Sequence, residues 1–216
     1  MENILTSDQP RKKELWDLYD ENRNKIGKTA ERGVTKLKEG EYHIVVNGII
    51  LNLENKILID KRSPSKKHGG MWECSGGSIL KGESSLEGIL RELREELGIK
   101  FTEKEAIYLK EIKNEKVPQD FKDLWLFKRD IKDEEITLPD GEAVAYKWVT
   151  IDEFMEMFEN GEIIQTVDFG RQEYEVNIIM NEENKIQKME CNCPYPNNCK
   201  HEYVVILYIR DKYKNI

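Results

Sequence analysis

The segment from Ser84 to Leu97 constrains this chain more than any other. Leu86, Ile89, Leu90, Leu93 and Leu97 recur at the three- and four-residue spacing of one helical face. Ser84, with Glu87 three residues on, forms the pair of a capping box, and Gly98 supplies a C-terminal stop. A stripe of five aliphatic side chains has to be buried, so the helix is expected to lie on a core with its other side in solvent. Beside the stripe, Glu92, Glu95 and Glu96 stand at i, i+3 and i+4 and cover an arc of roughly 100°. On this spacing the acids face outward. Like charges at i,i+4 destabilise a helix by a few tenths of a kcal/mol. A hard divalent cation removes that penalty, and Mg²⁺ takes oxygen ligands and bridges to phosphates. Arg91, four residues before Glu95, is placed to pair with it. The plainer reading of the same charges is a solvated acidic face with one Arg–Glu pair.

Around this helix the pattern is mixed α/β. Residues 15–28 read as a hairpin turning at Asp20–Asn24, and residues 42–51 as a strand rich in β-branched side chains. A turn at Asn52–Asn55 leads to a second strand, Lys56–Asp60. Residues 61–70 form a basic loop containing Gly and Pro, with Lys61, Arg62, Lys66, Lys67 and His68. Further strands are expected at Ile107–Ile112, Leu124–Arg129 and Tyr146–Thr150. A short helix follows over Ile151–Glu159, capped by Asp152 and ended by Gly161. After that the character changes, and a domain boundary is placed near residue 165. Glu173–Met180 and Ile186–Glu190 read as two strands, followed by a cysteine cluster and an apolar helical stretch, His201–Ile209.

The composition limits the function classes. With 34 Lys+Arg against 42 Asp+Glu, the net charge of -8 gives no general attraction to nucleic acid. An anionic small molecule would need a local cation, which a metal ion supplies. No apolar run has the length of a membrane span, and the polar start, Met1–Lys13, lacks the core of a signal peptide. A cytoplasmic location is the expectation, where thiols are more often free or metal-bound than paired.

Gly77, Glu83, Arg91, Glu92, Leu93, Glu95, Glu96, Gly98 and Ile99 match all nine defined positions of the Nudix box. The chain resembles a Nudix hydrolase over roughly residues 10–163, within an expected domain 1–164. The resemblance implies an α/β/α sandwich with a mixed sheet and a loop–helix–loop active site. It implies hydrolysis of a nucleoside diphosphate linked to another moiety, X, with Mg²⁺ or Mn²⁺ as cofactor. Carried over by position, Glu92, Glu95 and Glu96 are the principal metal ligands. Glu83 adds an outer-shell contact, the Gly77 carbonyl is a further candidate ligand, and Arg91 orients a glutamate. Glu95 is the first candidate for general base and Glu142 the second. Arg62 and Lys61 are candidates for holding substrate phosphates, and Trp125 for stacking on a base, with core filling as its plainer role. The stretch from Trp16 to Arg32, with Trp72, resembles the isopentenyl-diphosphate isomerase branch, which implies a non-hydrolytic alternative. Cys74, however, sits two residues before the position those enzymes use. A nucleotide-sensing binding protein is the third reading, and the intact box argues against it.

Cys191-x-Cys193, five residues, then Cys199-x-His201 offers three thiolates and an imidazole, a set suited to Zn²⁺. The pattern resembles a SWIM-type zinc finger, which implies a small ββα module over residues 165–216 with a structural zinc. That segment has seven basic and eight acidic side chains. The balance points to a protein partner in preference to nucleic acid.

Overall fold

The computed structural model describes residues 13–115, 118–139 and 141–164, and the backbone of two strands beyond them. Two strands form an N-terminal hairpin, β1 (Leu15–Tyr19) and β2 (Lys25–Glu31). The Asp20 carboxylate makes the turn by accepting from the backbone N–H groups of Asn22 and Asn24. The hairpin has a small core of Leu18, Ala30 and Leu37. It is docked by backbone hydrogen bonds between Tyr19 and Tyr42 and by Trp16 stacked on His43 at 4.4 Å. Arg23, in the turn, donates to the fully buried Asp123 at 2.7 and 2.5 Å.

The main sheet begins with β3 (His43–Leu51) and β4 (Ile57–Arg62). These two pair only at Ile50–Leu51 against Ile57–Leu58 and then diverge. The segment 72–78 fills the wedge: β5 (Trp72–Glu73) pairs with β4, and β6 (Gly76–Ser78) pairs with β3. Next come α1 (Ser85–Leu97), β7 (Ala106–Asn114), β8 (Asp120–Lys128), β9 (Ala143–Val149) and α2 (Ile151–Glu159). The sheet order is β5-β4-β3-β8-β7, with β9 on the other edge of β4. β3 and β8 run parallel through nine paired positions, and the remaining pairings are antiparallel.

One helix lies on each side of this sheet. Ile89, Leu93 and Leu97 of α1 pack on Ile44, Val46, Ile50 and Leu58. Phe154, Met157 and Phe158 of α2 pack on Ile49, Leu51, Ile57 and Ile59. Alternate residues of β3 and β4 thus serve opposite faces, as the pleat requires. Ile89 and Leu93 are both fully buried, each contributing about 1.5–3 kcal/mol.

α1 carries the expected capping box from Ser84 and Glu87, and Gly98 closes it at φ 70°, a left-handed position that suits glycine. For α2 the expected cap is corrected. Thr150 is the N-cap, with Glu153 completing the box, and Asp152 lies inside the first turn. Thr150 ends β9 in extended backbone, so its hydroxyl meets the Glu153 N–H.

Of the C-terminal segment, only the backbone of β10 (Val176–Met180) and β11 (Ile186–Cys191) is described, paired antiparallel. Cys193, Cys199, His201, the stretch 201–209 and the boundary near 165 lie outside the described residues. Among the described residues, no helix is long and apolar enough to cross a membrane.

Candidate active site

The wedge between β3 and β4 is where chemistry-bearing side chains gather. Splitting the two strands exposes the inner end of β4 toward α1, and β6 brings Gly76 and Gly77 beneath that helix. A polar cleft of about 90 Å³ results, lined by Gly76, Gly77, Glu92, Glu95 and Glu96 on one side and by Arg62 and Lys66 on the other. Glu14, Arg32, Arg91 and Glu142 complete its rim.

The three helix acids are not equivalent. Glu95 is exposed, with 51% of its side chain open to solvent, Glu92 is half-buried at 13%, and Glu96 is buried. The expectation that all three face outward is therefore corrected. Glu96 lies three residues after Leu93 and seven after Ile89, so the buried face of α1 extends far enough to include it. It accepts a hydrogen bond from the Gly76 N–H at 2.9 Å. A Cβ on Gly77 would collide with the Glu92 carboxylate, so glycine leaves room for that acid where Arg91 holds it.

Arg91 organises the remainder. Its guanidinium donates to Glu83 at 2.7 and 3.0 Å, to Glu92 at 2.8 Å, to Glu95 at 3.0 Å and to the Ser78 carbonyl at 3.0 Å. One side chain thus ties the loop before α1 to two of the helix acids. Glu83 also accepts from the Leu80 N–H, which closes that loop.

Two further acids belong to this cluster, and the sequence reading did not single them out. Asp60 follows Leu58 by two residues and so shares its inward face, and Ser75 Oγ donates to it at 2.6 Å. Glu73 lies beside it on β5, paired with Arg62. An acid at an inward position of an apolar strand was the available signal for Asp60. For Glu73 there was none, because the short strand β5 itself was not anticipated.

Burial pushes the Asp60 carboxyl up to about 6 and, with Asp60 beside it, Glu73 up to about 7. Burial also raises Glu92, against the opposing pull of Arg91. Glu96 is raised well above the usual carboxylate range, by burial first and then by Asp60, Glu92 and Glu73. Four carboxyls thus share a low-dielectric corner with more negative charge than its cations offset. That is the environment a divalent cation relieves, and an all-oxygen donor set suits Mg²⁺ or Mn²⁺. Among the described residues no three acids stand as a preformed ligand set. Arg91 holds Glu92 and Glu95, so metal uptake there would exchange those ion pairs for metal–oxygen bonds.

The other candidates divide. Arg62 reaches the cleft, with its Nε donating to the Lys67 carbonyl at 3.0 Å. Lys61, one residue earlier on β4, points to the opposite face, where its ammonium lies 5.5 Å from the Trp72 ring centroid. Trp125 is buried in the α1-side core with its indole N–H donating to Ser85, and it lines no part of the cleft. Cys74 packs against the α2-side core. Glu142 stands at the rim, paired with Lys66.

Comparison with known proteins identifies the family and the fold. The sequence profile described as NUDIX domain matches residues 41–167. A Nudix hydrolase of Listeria monocytogenes is 36% identical over 157 residues, which cover 70% of this chain and 88% of that protein. The CTP pyrophosphohydrolase of Escherichia coli is 41% identical over 59 residues, 27% of this chain and 44% of that one. Among solved structures, the crystal structure of DR0079 from Deinococcus radiodurans superposes with a TM-score of 0.59 at 23% identity, covering 70% of this chain and 93% of the other. At that identity the likeness speaks for the fold.

Proposed function

The chain belongs to the Nudix hydrolases and acts on pyrophosphate bonds, and from that premise we propose that it cleaves the diphosphate linkage of a nucleoside diphosphate joined to another moiety, X, with Mg²⁺ or Mn²⁺ at the acid cleft. The observation that carries this reading is the cleft itself, in which Glu92, Glu95 and Glu96 face Arg62 and Lys66 across a small polar space.

Glu92, Glu95 and Glu96 would hold the cation, with the Gly77 carbonyl as a further ligand and Glu83 outside them. The cation supplies positive charge that offsets the negative charge gathering on the phosphoryl oxygens. Arg62 and Lys66 bind phosphate oxygens, Arg62 as a planar fork and Lys66 as a point charge. Arg91 keeps Glu83, Glu92 and Glu95 in fixed rotamers. In the reaction a water oxygen bonds to phosphorus, and a carboxylate accepts one of the water's protons. The bridging P–O bond breaks, and its electron pair leaves with the departing phosphate. Glu95, the most exposed of the three helix acids, is the first choice of base, and Glu142 across the cleft is the second.

A panel of nucleoside diphosphate derivatives, assayed with and without Mg²⁺, tests the proposal. Metal-dependent release of a nucleoside monophosphate from at least one member is expected. Release that persists unchanged in chelator contradicts the role given to the acids. Turnover of isopentenyl diphosphate without phosphate release would mark the isomerase reading, which the placement of Cys74 does not favour.

The C-terminal Cys191, Cys193, Cys199 and His201 are proposed to hold a structural zinc. About one zinc per chain is expected by elemental analysis. Its absence, with the three tail thiols freely titratable, removes that part of the proposal.

A further inference from the structure

The acid cleft opens into a larger groove of about 770 Å³. Its walls come mainly from two segments outside the Nudix box, with Gly141 and Glu142 before β9 closing a third side. One is the end of the N-terminal hairpin, with Arg32 and Gly33. The other is the basic loop after β4, with Ser65, Lys66 and Lys67. Arg32, Arg62 and Lys66 line both spaces, so the groove and the cleft are continuous.

The groove has a definite chemical character. Lys13, Arg32, Arg62, Lys66 and Lys67 line it against three acids, Glu14, Glu31 and Glu142. Among its lining residues there is no Phe, Tyr or Trp, so a nucleobase entering it would find no ring to stack on. Phosphate oxygens would find forks and ammonium groups.

Arg32 is also held in place. Its N–H donates to the Glu14 carbonyl at 3.0 Å and its guanidinium to the Glu14 carboxylate at 2.8 Å. The Glu31 N–H donates to Thr35 Oγ1, and the Val34 and Thr35 N–H groups return to the Glu31 carbonyl. The hairpin is anchored to the sheet through Arg23 and Asp123. Arg32 lines both the acid cleft and the groove, so it stands between the helix acids and the basic loop.

We propose that this groove, with Arg32 of the hairpin facing Lys66 and Lys67, is the subsite for X, and that X carries a phosphate of its own. The inference rests on the reading of the acid cleft as the place of diphosphate cleavage and adds to it a substrate class. Favoured substrates have a phosphate chain extending past the scissile linkage, as in a nucleoside triphosphate. A diphosphate capped by a neutral sugar leaves Arg32 and Lys67 without an anion.

The test uses inorganic tripolyphosphate and the full chain in chelator, so that binding is read without turnover. Calorimetry is expected to show binding that Arg32→Gln and Lys67→Gln each weaken about tenfold, the size of one lost charge-assisted contact. Arg32→Lys, which keeps the charge without the fork, should recover part of the loss. Both Arg32 and Lys67 are on the surface, and circular dichroism checks that the variants fold. In the kinetic arm, Arg32→Gln should raise KM for a nucleoside triphosphate more than KM for ADP-ribose, with kcat for the triphosphate changed less than KM. Equal tripolyphosphate affinity in wild type and both Gln variants overturns the subsite, as does an equal rise of the two KM values. If Arg32-dependent binding is found and no member of the panel is hydrolysed, the anion subsite stands and the reading of the acid cleft falls.

Discussion

The two sides of the central sheet are built to different rules. Beneath α2 the strands present Ile49, Leu51, Ile57, Ile59 and Val149, all aliphatic, and the helix answers with Phe154, Met157 and Phe158. Beneath α1 the same β4 presents Leu58 and then Asp60, and the helix buries Glu96 beside Leu93 and Leu97. Burying an acid costs free energy unless it is paired or neutralised. On the α2 side the chain avoids that cost. On the α1 side it accepts it at one end, where two strands split and charge can be gathered for chemistry. The α2 face thus serves packing alone, whereas the α1 face combines an apolar core with the site.

The comparison predicts a separation of effects. The largest is expected for Glu96→Gln, which keeps shape and removes charge. Turnover should fall by about 10²–10³-fold, as for loss of one group stabilising transition-state charge, while the melting temperature of the metal-free protein holds or rises. Near-wild-type turnover would show that the buried acid serves structure alone. Phe154→Ala, on the other face, should destabilise by about 3–5 kcal/mol in denaturant titration and leave kcat of the folded fraction close to wild type. A collapse of kcat at unchanged stability would erase the distinction between the faces.

The smallest effect is a pH dependence. In the folded protein Glu73 and Asp60 hold their protons to about 7 and about 6, against ordinary values of 4.5 and 3.8. Between these limits the folded state binds more protons than the unfolded chain, so stability is fully present at low pH and is lost as pH rises through the folded values. Without divalent cation, stability should fall by about 1–3 kcal/mol from about pH 5 to 7.5 and then level off. Saturating Mg²⁺ should flatten that slope. Stability that increases with pH across the window would place the burden of charge elsewhere.

What could be read from the sequence followed the range of the interactions involved. α1 was legible in full, stripe, capping box and Gly98 stop, because each signal lies within a few residues. The N-terminal hairpin was legible for the same reason. The parallel pairing of β3 with β8 was not, since it joins residues some 77 positions apart, such as His43 and Asp120. Nor was the wedge between β3 and β4, which depends on where β5 and β6 find partners. At the site, Glu92, Glu95, Glu96 and Arg91 were named from spacing, and the structure brings them to one cleft. Spacing could not tell that Glu96 is buried, because it gives the angle between side chains and not the width of the buried face. Asp60 and Glu73 come up behind Glu96, and Arg32 reaches the cleft rim, from separate elements, and only the assembled fold brings them together. Lys61 shows the converse, since one step along β4 from Arg62 turns it to the other side of the sheet.

The most direct measurement is calorimetric titration of the full chain with Mn²⁺ or Mg²⁺ in the presence of a non-hydrolysable nucleoside diphosphate analogue, comparing wild type with Glu96→Gln. At least about one cation bound per chain is predicted for the wild type, with affinity sharply reduced in the variant, as expected for loss of a carboxylate from an oxygen-ligand site. No uptake by the wild type, or equal uptake by both proteins, would contradict the assignment of the buried acid corner as the metal site.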